Sequence, residues 1–210
     1  MPNPRDLTGD LSAALPHDIA QDLVHGRLST PFEYLGLRAH PNGYALNVFV
    51  PDADACLCLI GDNERKEMVP VPFAPGLFCA LLPKDDSYKI EAHFGDATWV
   101  FDDPYAFETS LTADDLYYIG EGSMNRVWDA LGATPMIYQD VKGVRFSVWA
   151  PNAERVAVVG DFNAWDPRRH AMRKLGHSGV WEIFLPGLRA GEVYKYAIRG
   201  PNGQDLPLKA

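Results

Sequence analysis

The chain repeats itself, and this repeat limits what it can fold into. Residues 44–62, YALNVFVPDADACLCLIGD, align with residues 144–161, VRFSVWAPNAERVAVVGD. Farther along, GLFCALLP at 76–83 matches GVWEIFLP at 179–186, and YKIEAHFGDATW matches YKYAIRGPNGQD. The period of about 100 residues is far longer than the unit of a solenoid. The sequence therefore predicts two related domains in tandem.

Each copy has the pattern of a β-sandwich. Short stretches of alternating apolar and polar residues are separated by clusters of Pro, Gly, Asn and Asp, with no long amphipathic helix between them. We expect an all-β protein of two tandem immunoglobulin-like β-sandwich domains with short linking helices. The expected division is an N-terminal segment with a short helix (1–36), a first sandwich (37–112), a helical linker (113–140) and a second sandwich (141–210).

Two stretches outside the copies favour helices. One is LPHDIAQDLVHGRL near the N-terminus. The other is GSMNRVWDALGA at 122–133, where Ser123 is suited to cap a short helix that ends at Gly132. We expect the second helix to link the two sandwiches.

The composition argues against several classes of partner. The 28 acidic residues outnumber the 19 basic ones, the formal net charge is −9, and no run of Lys or Arg forms a stripe for nucleic acid. The first residues contain no apolar signal region, and no apolar run approaches the roughly 18 residues of a membrane span. We expect no nucleic-acid partner, no membrane partner and a cytoplasmic location.

The three cysteines are predicted to be reduced and buried. Cys56 and Cys58 point to the same face of one strand, which is a poor geometry for a bridge between them. The odd count and the absence of metal-type spacing agree with free thiols in the cytosol.

We find no residues suited to catalysis or metal binding in the sequence. Asp102 and Asp103 are adjacent, whereas the two carboxyl groups of a glycosidase face each other across about 5 to 10 Å, so we interpret them as turn formers before Pro104. His170 and His177 have no further ligand at a suitable spacing and are expected at a solvated surface. A glycine-rich phosphate loop and a G-x-S-x-G elbow are also missing. We expect no catalytic residue, no metal and no cofactor.

Four motifs in order carry a resemblance to a known family. They are GRLSTPFEYLGLR at 26–38, GEGSMNRVWDALGAT at 120–134, GVRFSVWAPNAERVAVVGDFNAWDPRRHAMRKLGHSGVWEIFLPGL at 143–188, and YKYAIRGPNGQDLPLKA at 194–210. From about residue 17 to the last residue the chain resembles the N-terminal portion of bacterial glycogen branching enzymes. The resemblance implies that the second sandwich is a carbohydrate-binding module of family 48 and that the first is a divergent copy of it.

The candidate sugar-binding residues lie in the turn VVGDFNAWDPRRH and on a later strand, YKYAI. A pyranose ring has an apolar face of C–H groups, so the flat indole of Trp165 could stack on it. Lys195 has three donors on a long stem, and its family counterpart bonds a sugar hydroxyl. Asn163 of the Phe-Asn-x-Trp motif completes the predicted set. The alternative is that Trp165 folds back to cap the core, with its N–H bonded to a loop carbonyl.

Other aromatic residues of the second copy are predicted to be structural. Phe146, Trp149 and Trp181 occupy strands and are expected in the core. In the first copy, GDNERKEM at 61–68 replaces the Phe-Asn-x-Trp motif, which weakens the expectation of a glucan contact there.

Three functional hypotheses remain. The chain could be the non-catalytic, glucan-binding N-terminal region of a 1,4-α-glucan branching enzyme, with α-1,4-glucan (glycogen or amylose) and a catalytic barrel in cis as partners. It could instead be a free-standing glycogen-binding or targeting module, although GPNG at 200–203 stands where such modules have a second Trp. It could also be a protein-interaction sandwich without sugar affinity.

The resemblance assigns the chemistry to residues outside this chain. It implies that a parent enzyme cleaves an α-1,4 link and transfers the segment to a 6-hydroxyl, using two carboxyl groups on its barrel. The second copy ends before the counterpart of the FDDPY stretch at 101–105, so we expect a second sandwich truncated at its C-terminal end and an inactive chain.

Overall fold

Strands supply most of the regular secondary structure of the described residues. The computed structural model describes residues 11–61 and 64–209. Strand Ala55–Ile60 is typical, because its apolar side chains at Cys56, Cys58 and Ile60 face the interior while the residues between them are half-buried. Contacts between Cα atoms divide the chain into two compact units, residues 11–25 with 33–106 and residues 26–32 with 107–209.

The first unit is a sandwich of two four-stranded antiparallel sheets, with strand orders β1-β2-β6-β5 and β4-β3-β7-β8. Its elements are α1 (His17–Val24), β1 (Gly36–His40), β2 (Gly43–Phe49), β3 (Ala55–Ile60), β4 (Glu64–Glu67), β5 (Val69–Pro70), β6 (Leu77–Leu82), β7 (Tyr88–Phe94) and β8 (Ala97–Phe101). Apolar residues of both sheets, among them Leu46, Phe78, Cys58 and Ile90, form one core cluster.

The second unit repeats this plan with sheets β12-β13-β10-β9 and β11-β14. Its elements are α2 (Ala113–Gly120), α3 (Val127–Ala130), β9 (Gly132–Tyr138), β10 (Val141–Trp149), β11 (Arg155–Gly160), β12 (Arg173–Lys174), β13 (Val180–Pro186) and β14 (Tyr194–Arg199). Phe146, Trp181, Val158 and Tyr196 belong to its core cluster. Single bridges join Tyr196 to Lys209 and Arg199 to Asp205, where the chain returns along β14. The all-β class and the tandem immunoglobulin-like sandwiches with short helices are confirmed.

A short segment from before the first sandwich belongs to the second unit. The backbone oxygen of Leu28 accepts a hydrogen bond from Nε of buried Arg155 on β11, at 3.1 Å. The guanidinium of Arg173 lies 3.9 Å from the centre of the Phe32 ring. Residues 26–32 are thus bonded to a sandwich that begins in sequence only after residue 106.

The helices differ in part from the prediction. The N-terminal helix is present as α1, but 122–133 contains only the four-residue α3, and Ser123 does not cap it because the N-cap position is Arg126. The longer helix between the sandwiches is α2, which starts after Thr112 with a capping box: the Thr112 side chain accepts from the Asp115 backbone N–H, and the Asp115 carboxylate accepts from the Thr112 backbone N–H. The predicted domain limits stay predictions. Strand β9 lies within residues 113–140, the stretch predicted as a helical linker.

One of the three predicted core aromatics is not in the core. Phe146 and Trp181 are buried as expected, but Trp149 is 55% exposed and donates its indole N–H to the backbone oxygen of Ser178 at 3.2 Å. Successive side chains of a strand alternate between its faces, so Trp149, an odd number of residues after Phe146, lies on the opposite face of β10.

The cysteines are free and buried, as predicted. Cys56 and Cys58 face the same core, and burial raises the pKa of Cys56 to about 12 and that of Cys58 to about 11. Both thiols are therefore protonated at neutral pH.

Candidate functional site

The turn that carries Asn163 and Trp165 follows strand β11. The β11–β14 pair has the same register as the β3–β7 pair of the first copy. In the second unit Val159 of β11 pairs with Lys195 of β14, and Gly160 pairs with Tyr194. In the first unit Leu59 of β3 pairs with Lys89 of β7, and Ile60 pairs with Tyr88. The two copies therefore present the same Lys at the same place, and they differ in the segment that leaves β3 or β11.

Gly160 is required by close packing where β11 ends. A Cβ atom there would lie 2.4 Å from the backbone oxygen of Val193 and 2.5 Å from the ring of Phe162. Phe162 turns inward and packs against the core, with its ring 6.2 Å from that of Phe146. The neighbouring strand and the inward Phe162 thus fix the start of the turn.

Asn163 holds the turn together from below. It is 2% exposed, its amide oxygen accepts the Gly160 N–H at 3.0 Å, and its amide nitrogen donates to the Val158 oxygen at 2.9 Å. The same nitrogen lies 3.0 Å from Nδ1 of His170. The structure therefore places the predicted Asn163 beneath the turn, where its side chain positions the residues above; a sugar contact by Asn163 stays untested.

Trp165 projects from two consecutive left-handed residues. Ala164 has φ +55° and Trp165 has φ +59°, a region that non-glycine residues seldom occupy. The Trp165 backbone N–H donates to the Gly160 oxygen at 2.9 Å, and its indole N–H donates to the Asp161 carboxylate at 2.7 Å. Trp165 is half-buried and does not belong to the core cluster. Its indole N–H bonds the Asp161 carboxylate and not a loop carbonyl, which was the partner expected for a core-capping Trp165.

Basic residues brace the far side of the turn. Arg155 donates to the Pro167 backbone oxygen at 2.8 Å. Arg168 donates to the Asp166 carboxylate at 2.8 Å. Partial burial acts to raise the pKa of Asp166, but the bonds from Arg168 outweigh it and hold that pKa below its usual value. The side chains and backbone of residues 166–169 (DPRR) therefore mainly make contacts within the turn and stabilise it.

His170 is neutral in this turn. Asn163 uses its oxygen for the Gly160 N–H, so its nitrogen must donate to Nδ1 of His170, which is then unprotonated. Burial, reinforced by nearby Arg169, lowers the pKa of His170 to about 4. The predicted solvated role for His170 is wrong: it is half-buried and bonded within the turn, whereas His177 is exposed.

Lys195 stands on the open face of β14. It is exposed, and within the described residues it takes part in no ion pair. Val193, which directly precedes β14, is also exposed. Sequence reasoning missed Val193. The exposed Val193 and Lys195 therefore lie at the end of β14 that pairs with Gly160, where the turn that carries Trp165 begins.

The first copy has lost the equivalent arrangement. Strand β3 pairs with β4, which begins at Glu64, and Lys89 lies 3.0 Å from the Asp102 carboxylate. Asp103 is buried, accepts from the Tyr88 hydroxyl at 2.8 Å and from the Tyr105 N–H at 3.0 Å, and its pKa is raised by burial. Asp102 and Asp103 thus serve the fold at the turn before Pro104, as expected.

No described helix is long and apolar enough to cross a bilayer.

Sequence comparisons match the two halves of the chain to two families. Residues 16–105 match the alpha-1,4-glucan branching enzyme GlgB N-terminal domain, and residues 130–209 match carbohydrate-binding module 48 (isoamylase N-terminal domain). A 1,4-alpha-glucan branching enzyme GlgB of Rhodopseudomonas palustris is 48% identical over 92% of this chain and 27% of its own length. GlgB 1 of Xanthomonas campestris is 42% identical over 91% and 26%. The chain thus spans about a quarter of the relatives it matches.

Among solved structures, apo pullulanase from Klebsiella pneumoniae is 17% identical over 83% of this chain and 22% of that chain, with a TM-score of 0.31.

Proposed function

Because the chain belongs to the N-terminal region of the 1,4-α-glucan branching enzymes and carries a module of carbohydrate-binding family 48, we propose that it is a non-catalytic region that binds α-1,4-glucan. Glycogen and amylose are the proposed ligands. The proposed contact surface is the turn after β11 together with the open face of β14.

The observation that carries this proposal is the display of Trp165. Its indole is half-buried and donates its N–H to the Asp161 carboxylate. The backbone at Ala164 and Trp165 is left-handed, which fixes where the side chain leaves the turn. An indole fixed in this way loses little conformational freedom when a pyranose ring stacks on its face. The exposed Lys195 offers donors to a sugar hydroxyl, and the exposed Val193 extends the apolar surface. Asn163 and Arg155 are proposed to act by holding the turn.

The test is affinity electrophoresis of the whole chain in gels that contain glycogen. We expect Trp165→Ala to reduce retardation, with affinity about fivefold or more lower, since loss of one stacked aromatic is worth roughly 1 kcal/mol. The matched control is Trp128→Ala, which removes another exposed tryptophan, 65% exposed, from α3. Circular dichroism checks the fold of both variants. Equal retardation of the wild type and Trp165→Ala would assign Trp165 to the structure.

The activity of a longer protein is a further proposal. The relatives named as branching enzymes are about four times as long as the matched stretch, and we propose a catalytic barrel in cis as a partner of this region. A cytoplasmic location and the division at 1–36, 37–112, 113–140 and 141–210 belong to the same proposal. The two contact units support a division between the sandwiches.

A protein-docking role has one specific observation in its favour. Tyr117 and Tyr118 on α2 are exposed, and their rings contact each other at 5.5 Å. The residues that line an open hollow here include Leu116, Tyr117 and Leu175 together with His177 and Ser178. We propose this surface of the second unit for contact with the rest of a longer chain. Sedimentation that shows self-association, abolished by Tyr117→Ser, would support an exposed docking surface.

A further inference from the structure

The first sandwich ends in an edge strand that leaves an aromatic side chain in solvent. In β8, the four residues from Ala97 to Val100 are all exposed, and Trp99 is 58% exposed. The strand pairs only with β7 among the described strands. Trp99 and the neighbouring Val100 thus present apolar surface to solvent on the described part of the first unit.

Trp99 forms a two-ring platform with Phe94. Trp99 pairs with Ala92 and Phe94 pairs with Ala97, so the two rings are diagonal neighbours on one face of the β7–β8 hairpin. Their centres lie 5.3 Å apart with an angle of 52° between the planes. Phe94 packs against the core of the first unit, which anchors one ring while the other faces solvent. The small cross-strand partners, Ala92 and Ala97, leave the Trp99 ring uncovered.

Hydrogen-bonding groups occupy the opposite face and the turn of the same hairpin. His93 and Thr98 form the next cross-strand pair, with the Thr98 hydroxyl 3.3 Å from Nδ1 of His93. At the hairpin turn the Asp54 carboxylate accepts the Gly95 N–H at 2.6 Å. The platform itself is therefore apolar, and an aromatic surface of this kind suits the apolar C–H face of a sugar ring.

We propose that Trp99 and Phe94 form a second α-glucan site, on the first sandwich and separate from the Trp165 turn. The α-1,4 link turns each pyranose relative to the one before it, so two successive C–H faces meet two aromatic planes better when those planes are inclined to each other than when they are coplanar. The inclined pair therefore fits two successive glucose units of a curved glucan. Trp99 stacks on the first unit and the exposed edge of Phe94 contacts the next.

The surrounding charges favour a neutral ligand. Asp54 and Asp96 lie at the turn of this hairpin, and the whole chain carries a net charge of −9, so an anionic ligand would be repelled. The inference goes beyond the proposed function, which places the glucan contact on the second unit alone. Two sites on one chain would act together on a long polymer and far less on a short oligosaccharide.

The experiment uses the whole chain, glycogen gels and four variants. Trp99→Ala should weaken retardation about 3- to 10-fold, as expected for one stacked aromatic, and Trp99→Ala with Trp165→Ala should remove the retardation that Trp165→Ala leaves. Trp128→Ala with Trp165→Ala, the matched control, should migrate like Trp165→Ala alone. Retardation that persists unchanged in the Trp99 variants overturns the inference and leaves the proposed function standing. An unretarded wild type overturns both.

A second measurement does not depend on comparing variants that could differ in stability. The indole N–H signal of Trp99, identified by its loss in Trp99→Ala, should shift when maltoheptaose is added to the ¹⁵N-labelled wild-type chain. The same signal should not shift with protein concentration in the absence of sugar. A Trp99 signal that responds to protein concentration and ignores maltoheptaose would assign this edge to self-association and overturn the inference.

Discussion

At the scale of single residues, the turn after β11 concentrates unfavourable backbone geometry around Trp165. A left-handed conformation costs a non-glycine residue roughly 1–2 kcal/mol, and Ala164 and Trp165 adopt it in succession. The turn keeps this geometry because buried Asn163 closes it from beneath and Arg155 ties it from the side. Strain held by the surrounding structure gives the indole one fixed direction.

His170 makes the stability of this turn depend on pH. Its pKa is about 4 in the folded chain against an ordinary value of 6.5, so below pH 6.5 the unfolded chain binds the proton more readily than the folded one. Stability is therefore full above pH 6.5 and falls as the pH drops from 6.5 towards 4. Between pH 7 and pH 5.5 we expect His170 to account for about 1 kcal/mol of lost stability, measured by urea unfolding.

The control is His170→Asn, which removes the titrating ring and tolerates the left-handed φ of +49° at this position. The loss of stability between pH 7 and pH 5.5 should be smaller by about the same 1 kcal/mol in this variant. An identical pH dependence in wild type and variant would contradict the assignment of a neutral, bonded His170.

Residue-scale features were only partly predictable from sequence. The turn composition indicated Trp165, and the family resemblance indicated Lys195; the structure adds that both copies place Tyr-Lys at one register. The burial of Asn163 and the neutral state of His170 depend on contacts across seven residues of a folded loop, which no local pattern encodes. The prediction placed Trp149 in the core because it is a large aromatic residue. Its position three residues after Phe146 instead places it on the opposite face of β10.

At the scale of elements, α2 depends on its first turn. The capping box of Thr112 and Asp115 satisfies two backbone donors of a helix only eight residues long that buries none of its residues completely. We expect Thr112→Ala to destabilise α2 by about 1 kcal/mol. Amide hydrogen exchange of α2 should become about fivefold faster, while exchange in the β10 sheet stays unchanged.

Ser123→Ala is the matched control for the cap. Ser123 was the predicted cap, but α3 starts after Arg126 without a side-chain cap. Exchange in both helices should therefore match the wild type. Faster exchange in Ser123→Ala than in Thr112→Ala would reverse the assignment.

Strands were more predictable than helices for a physical reason. A strand with one face in the core shows its period of two in the sequence, as Cys56, Cys58 and Ile60 do. The helices between the sandwiches are four and eight residues long, too short for a clear period of 3.6, so capping residues were the available signal. The pattern T-x-x-D at 112–115 was such a signal and predicts α2 better than Ser123 predicts α3.

At the scale of the whole molecule, we expect a chain that binds glucan without changing it. The three buried carboxylates of the described residues are tied to the fold: Asp103 accepts from Tyr88, Glu91 pairs with Arg65 and His93, and Glu182 accepts from Thr109 and Ser110. The iodine spectrum of amylose incubated with the purified chain should therefore stay unchanged. A shift to shorter wavelength, reproduced in separate preparations, would contradict the placement of the chemistry outside these residues.

Residues 26–32 must wait during synthesis for the residues they contact in the second sandwich. This segment leaves the ribosome before any part of the first sandwich from residue 33 onward, yet its partners Arg155 and Arg173 come more than a hundred residues later. At a translation rate of roughly 5–20 residues per second the segment waits for several seconds or longer. The second sandwich thus includes residues that are synthesised before the strands of the first sandwich. A gene divided between the two sandwiches would therefore separate the second sandwich from residues 26–32.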